Sequence, residues 1–219
     1  MVTFYETAIT PACRQVLDYL QSQPFIGDFY LAGGTALALQ IGHRISTDLD
    51  WFTTTRRLLP LERADICLSL QQGGNFEVVS EQNGALFTRL LGVEVSFLYQ
   101  PHPLLQPPVV YRGLNLASPT DIGLMKLAAI NSRGSRRDFI DLYCLRDIAP
   151  LDRLLELAPI KYADRPTFLA IAVRALVYFE DAEQQPMPQM LIPVEWAQVR
   201  AYCEAAVRRL TRRLIELER

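Results

Sequence analysis

The chain has 219 residues, half of them apolar and 21% charged, with a formal net charge of −2. At roughly 100–200 residues per domain this is one large domain or two modest ones, and 14 prolines with 11 glycines are near ordinary usage, which excludes collagen-like and low-complexity chains. The longest charge-free stretch, Val95 to Tyr111, is broken by Pro101, Pro103, Pro107 and Pro108, so no segment supplies the about 20 mostly apolar residues of a membrane span.

In chain order, residues 8–22 read as a helix, 29–32 as a buried strand, 35–41 as a short helix and 47–52 as a strand. A helix over 61–71 precedes three close strands at 76–81, 85–91 and 93–99, separated by Gln82-Asn83-Gly84 and by Gly92, both hairpin punctuation. Such mixing predicts an α+β layer with a mixed sheet. Beyond the prolines the pattern is helical. Ser118 and Pro119 suit a helix start and Asp121 its positive end. That helix stops near Gly134, Ser135 opens another, and longer helices are expected over 165–179 and 195–217. The predicted organisation is a mixed α/β domain over 1–117 and a helical domain over 118–219.

Residues Met1 to Glu6 have neither a basic nor a long apolar stretch, so no secretory signal is expected. Cys13, Cys67, Cys144 and Cys203 are dispersed, without Cys-x-x-Cys pairs or histidines at zinc-ligand spacing. They read as small buried thiols, and a cytoplasmic location follows. Only two histidines exist; His43 reads as a structural hydrogen-bonding residue and His102 as loop, and neither completes a nucleophile–base pair.

The densest chemical signal lies between Leu31 and Phe52. A buried strand ends in Gly33-Gly34-Thr35 and opens a helix. Uncovered backbone N–H groups then point at one spot, glycine allows close approach, and the helix N-terminus favours an anion such as phosphate. By itself this is also how a plain tight turn looks. On the following strand Asp48 and Asp50 share one face while Leu49 and Trp51 take the other. Two carboxylates so placed repel unless they face solvent or share a cation, and oxygen-only ligation beside a phosphate cradle suits magnesium.

Leu31-Ala32-Gly33-Gly34-Thr35-Ala36-Leu37-Ala38, followed by His43-Arg44-x-Ser46-x-Asp48-Leu49-Asp50-x-Phe52, resembles the AbiEii/AbiGii toxin nucleotidyltransferases of the polymerase-beta-like superfamily. Lys126-x6-Arg133-x4-Asp138-Phe139-x-Asp141-Leu142 resembles that family's fourth motif. The resemblance implies a nucleotidyltransferase-like first domain in which Gly33, Gly34 and Thr35 hold a triphosphate and Asp48 and Asp50 hold Mg2+. It implies transfer of a nucleoside monophosphate from a nucleoside triphosphate to an acceptor hydroxyl, with tRNA as the expected acceptor, in a toxin–antitoxin or phage-defence setting with a cognate antitoxin protein. In-line phosphoryl transfer needs positioning and metal-held oxygens more than covalent chemistry.

The superfamily usually adds a third carboxylate from a later strand. Here Ser96 stands where it is expected, and Glu94 lies two residues earlier on the same face, either a substitute metal ligand or an ordinary exposed residue. Ser96 keeps a second reading open, a weak or inactive member that binds nucleotide, RNA or a partner protein.

Lys126 and Arg133 are seven apart, nearly two helical turns, so they share a face, and both are candidates for contacting phosphates; Arg44 could reach phosphates or pair with a carboxylate. Asp138 is either catalytic or the end of a Ser135-x-x-Asp138 capping box, and Asp141 is expected to pair with Arg137. On the last helix Arg200, Arg208, Arg209, Arg212 and Arg213 flank an apolar stripe of Trp196, Val199, Cys203, Val207, Leu210, Leu214 and Leu217. That arginine face would track RNA phosphates or be a solvated surface over a core stripe.

Overall fold

The structure, a computed structural model, describes residues 3–217. Its chain divides into two compact units, with the division between Ser118 and Pro119.

In the first unit, helix α1 (Pro11–Gln21) begins later than the periodicity predicts, because the hydroxyl of Thr10 accepts from Cys13 N at 3.1 Å and Pro11 fixes the first turn. Residues Glu6–Ala8 form a separate 3₁₀ turn. Strand β1 (Tyr30–Ala32) runs directly into α2 (Gly33–Ile41), which ends at a left-handed Gly42 whose N–H bonds Ala38 O at 2.8 Å. Strand β2 (Asp48–Thr53) and helix α3 (Pro60–Gln71) follow. Then come β3 (Phe76–Gln82), β4 (Ala85–Leu90), β5 (Val93–Tyr99), β6 (Val109–Tyr111) and β7 (Leu114–Leu116).

Among the described residues these strands make one mixed sheet in the order β3-β4-β5-β2-β1-β7-β6. The β2–β5 and β1–β7 pairs are parallel and the other pairs antiparallel. The β6–β7 hairpin follows the prolines of residues 101–108, in a segment to which the sequence pattern assigns no strand. Its turn, Arg112-Gly113, has positive φ at both residues (49° and 81°), the geometry of a tight two-residue hairpin. On one face of the sheet Leu49, Trp51, Val95 and Phe97 are fully buried, and the rings of Phe25, Phe29 and Phe97 meet edge-on with centroids 5.3–6.2 Å apart. Burial of this face fixes the register, since a one-residue slip would put Trp51 on the opposite side.

The second unit is helical: α4 (Pro119–Arg133), α5 (Arg136–Cys144), α6 (Leu151–Lys161), α7 (Phe168–Ala175), α8 (Glu180–Glu183) and α9 (Trp196–Leu217). The single helix expected over 165–179 is shorter, starting at Phe168 and ending at Ala175, and α6 is an addition to the sequence expectation. None of the described helices is long and apolar enough to cross a membrane. All four cysteines are free thiols; Cys13 and Cys203 are buried, whereas Cys67 and Cys144 are half-buried. Burial pushes the Cys203 thiol up to about 12, so it stays protonated.

Asp121, expected only to favour the start of α4, is fully buried and accepts from Lys161 Nζ at 2.9 Å. This ion pair ties α4 to α6. Lys161→Met removes the cation facing a dry carboxylate, and the expected cost is ~3–5 kcal/mol. Asp121→Leu/Lys161→Met should recover most of it, which urea unfolding of the full chain measures.

Candidate functional site

Gly33 opens α2 with φ +66°, a conformation that favours glycine. The space a side chain would need is already taken: a β-carbon on Gly33 would lie 2.6 Å from Asp50 Oδ2. On Gly34 it would collide with the Arg44 guanidinium and lie 3.2 Å from Ser46 Oγ. The structure therefore brings together the Gly-Gly turn, Arg44 and the acidic face of β2. Asp48 and Asp50 are half-buried on one face of the strand, with Leu49 and Trp51 buried on the other.

A hydroxyl network joins the turn to β2. Thr35 Oγ1 donates towards Ser46 Oγ at 2.8 Å and towards the Asp48 carbonyl oxygen, and Ser46 Oγ donates to Asp48 Oδ1 at 3.3 Å. Thr35, Arg44 and Ser46 are all buried. Ser46 appears in the sequence pattern without an assigned part; its place at the centre of this network is visible only in three dimensions. His43 is buried, as a structural residue would be, and His102 lies in the loop after β5, buried, with Nδ1 2.7 Å from Gln100 Oε1.

The parallel β2–β5 register sets Asp48 beside Glu94 and Asp50 beside Ser96. Glu94 thus shares the acidic face, but its side chain is 68% exposed and lies 3.4 Å from Arg89, which also pairs with Glu77. Among the described residues no group of three or more His, Cys, Asp or Glu side chains is placed to hold a metal ion. The carboxylates at the glycine turn are those of Asp48 and Asp50.

In the second unit Lys126 is buried, with Nζ 2.8 Å from Asp138 Oδ1 and 2.6 Å from Asp141 Oδ2. Arg133 reaches the same Asp138 through Nε at 3.0 Å and Nη2 at 3.3 Å, as the shared face of Lys126 and Arg133 predicts. Ser135 occupies the cap position of α5 without a side-chain capping bond; its hydroxyl donates to Asp138 Oδ2 at 2.6 Å instead. Burial alone would raise the Asp138 carboxyl, but Lys126 and Arg133 overcome it and hold the group down at about 2.

Residues 15–211 match the family described as nucleotidyl transferase AbiEii toxins of type IV toxin–antitoxin systems. This chain belongs to the AbiEii family. An uncharacterised protein of Aquifex aeolicus, aq_aa25, is 35% identical over 179 residues, covering 78% of this chain and 84% of its own. MenT4, a nucleotidyltransferase toxin of Mycobacterium tuberculosis, is similar in structure with a TM-score of 0.59 and 20% identity over 89% of this chain and 80% of its own. A putative nucleotidyltransferase from Helicobacter pylori has a TM-score of 0.52 and 15% identity, covering 95% of both chains. At these identities the solved structures establish the shared α+β nucleotidyltransferase fold.

The last helix of this AbiEii-family chain is less open to RNA than its arginines suggest. Arg200 pairs with Glu183 at 2.8 Å, Arg208 with Glu204 at 3.5 Å and Arg209 with Asp152 at 2.5 Å. Val199 and Cys203 of the apolar stripe are core, with Ala206 beside them, whereas Trp196, Val207 and Leu210 are half-buried. The side chains of Arg213, Leu214 and Leu217 lie outside the described residues.

Because the Asp138 carboxyl drops from an ordinary 3.8 to about 2 on folding, its contribution is complete above about pH 4 and is lost as pH falls towards 2, on the order of 2 kcal/mol. In Asp138→Asn that span of pH dependence should flatten, as urea unfolding at pH 2, 3, 4 and 7 reports.

Proposed function

We propose that this AbiEii-family chain transfers a nucleoside monophosphate from a nucleoside triphosphate to an acceptor hydroxyl on RNA, with tRNA as the acceptor, in the cytoplasm and under the control of a cognate antitoxin. The observation that carries the reading is the seat of the Asp50 carboxylate against Gly33, at the start of a helix in a chain of this family. In the transfer, the acceptor oxygen bonds the α-phosphorus, the bond to the bridging β-phosphate oxygen breaks, pyrophosphate leaves and the hydroxyl proton is released.

Each nearby residue has a part that its chemistry suits. The unsatisfied N–H groups of the first turn of α2 and the Arg44 guanidinium suit the triphosphate. Thr35 is read as contributing through its backbone, because its hydroxyl is engaged by Ser46 and Asp48; the side chain then orients Asp48. Asp48 and Asp50 suit Mg2+, an ion that keeps several waters and binds through one or two carboxylates plus substrate phosphates. When bound, that ion would polarise the phosphoryl oxygens and neutralise developing charge. Glu94 is kept as a candidate third ligand, at the expense of its contact with Arg89. Lys126, Arg133 and Asp138 of the second unit are kept as candidates on the family motif alone. The two cations there are matched by the carboxylates of Asp138 and Asp141.

One observation favours a second reading. Ser96 beside Asp50 can neither add charge nor act as a carboxylate base, which suits a chain that binds nucleotide, RNA or a protein without turning it over.

Each labelled nucleoside triphosphate, incubated with Mg2+, total tRNA and the chain, separates these readings. Label should move to RNA and fall at least about a hundredfold in Asp48→Ala and in Asp50→Ala, the scale of losing a transition-state contact. Nucleotide binding without transfer to any acceptor would establish the binder instead, and label on protein would replace RNA as the acceptor. In the same assay Thr35→Val should lower kcat about tenfold with KM little changed, while Thr35→Ser keeps most of the rate.

A further inference from the structure

A cleft of about 400 Å³ opens in the helical unit between the end of α4 and helix α7, with Asn131, Arg133, Ile171, Arg174, Tyr178 and Asp181 on its walls. Its size sits at the small end of the about 300–1,000 Å³ of small-molecule sites, which suits a single nucleotide unit.

Several of its polar groups have no partner among the described residues. The Asn131 Oδ1 atom is buried without a hydrogen bond. The Arg174 guanidinium and the Asp181 carboxylate make no ion pair or side-chain hydrogen bond among the described residues, although Arg136, Arg200 and Arg209 of the same unit are all engaged. The Tyr178 ring is 49% exposed and stacks on nothing among those residues, and Ile171 beside it is equally exposed. Arg133 reaches the cleft from the Lys126 cluster, held by Asp138 at 3.0 Å.

We propose that this cleft binds one nucleotide unit bearing an amino-substituted base. The base lies against Tyr178 and Ile171, as bases stack on aromatic rings in single-strand sites. Its N–H donors meet the Asp181 carboxylate, which accepts no hydrogen bond among the described residues. Its phosphate takes the Arg174 guanidinium, since guanidinium forks match phosphate geometry. Guanine, with adjacent imino and amino donors, fits a carboxylate best, and uracil, with no amino group, fits worst. The same chemistry is offered by the incoming nucleoside triphosphate and by an unpaired residue of the RNA acceptor. The proposal rests on the nucleotidyltransferase reading above and names where such a substrate is recognised.

The full chain and its Arg174→Ala, Tyr178→Ala, Tyr178→Phe and Asp181→Asn variants are compared for binding the four labelled nucleoside triphosphates by equilibrium dialysis, and total tRNA by filter retention. Arg174→Ala and Tyr178→Ala should weaken binding about tenfold, the scale of losing one stacked base, Tyr178→Phe should keep it, and Asp181→Asn should narrow the margin of guanine over uracil. Loss confined to the triphosphates assigns the cleft to the incoming nucleotide; loss confined to tRNA assigns it to the acceptor. Unchanged binding of both in Arg174→Ala and Tyr178→Ala overturns the site, even where Asp48-dependent transfer continues and the reaction itself stands. If wild type transfers no label to any acceptor and these variants still weaken binding, the reaction falls and the cleft remains.

Discussion

The absence of a side chain at Gly33 is the constraint on which the first unit's chemistry depends. With φ +66° and Asp50 Oδ2 only 2.6 Å from where a β-carbon would sit, the start of α2 and the acidic face of β2 occupy adjoining space. The antiparallel register of β1 and β2, pairing Ala32 with Asp50, delivers both from consecutive elements. Two half-buried carboxylates on one strand face would ordinarily repel. Here they are set beside the positive end of a helix, and Ser46 Oγ donates to Asp48. Their placement therefore rests on rigid elements and a buried hydroxyl network instead of a loop, which is what a precise site requires.

The second unit is organised by buried charge. Lys126 joins α4 to α5 through Asp138 and Asp141, and Lys161 joins α6 to α4 through Asp121. Buried pairs of this kind bring little net stability, because desolvation offsets most of the attraction; removing one partner is costly, so they behave as registration points. Asp138 held at about 2 keeps the cluster charged at neutral pH, and its second partner, Arg133, is thereby fixed in direction while its side chain stays largely exposed. A guanidinium anchored on a buried carboxylate is better prepared for a ligand than a mobile one, since less rotamer entropy remains to be lost on binding.

What the sequence discloses and what it conceals divide along the range of the interactions involved. Alternation along β2 is local, so the common face of Asp48 and Asp50 could be read directly, as could the glycine turn and the shared face of Lys126 and Arg133. Interactions between distant residues could not. Asp121 looks like an ordinary helix-start acid because nothing near it signals Lys161, forty positions on and in a helix containing Pro159. The β6–β7 hairpin is hidden for a different reason: its strands are three residues each, too short to show a period, and they adjoin prolines. The arginines of α9 read as one cationic face because their partners Glu183 and Asp152 come from other parts of the chain.

The register of β2 against β5 concentrates the remaining question at one position. Ser96, beside Asp50, lies where a third acidic group would act, and a hydroxyl there changes the electrostatics in two opposing ways. On the proposed reading, two carboxylates would neutralise a divalent cation, so a triphosphate would meet less repulsion here than beside three. The same economy removes the group best placed to accept a proton from the attacking hydroxyl, because serine cannot act as a carboxylate base. Glu94 could restore that function only by leaving Arg89, an exposed pairing of the kind worth at most about 1 kcal/mol. Such a contact is weak enough for a bound substrate to break. Glu94 also sits one pleat repeat away from Ser96, roughly 6–7 Å along the strand, so the substitution demands that the acceptor approach from the Asp48 side. On the proposed reading, the direction of acceptor entry would matter more to catalysis than the count of acids.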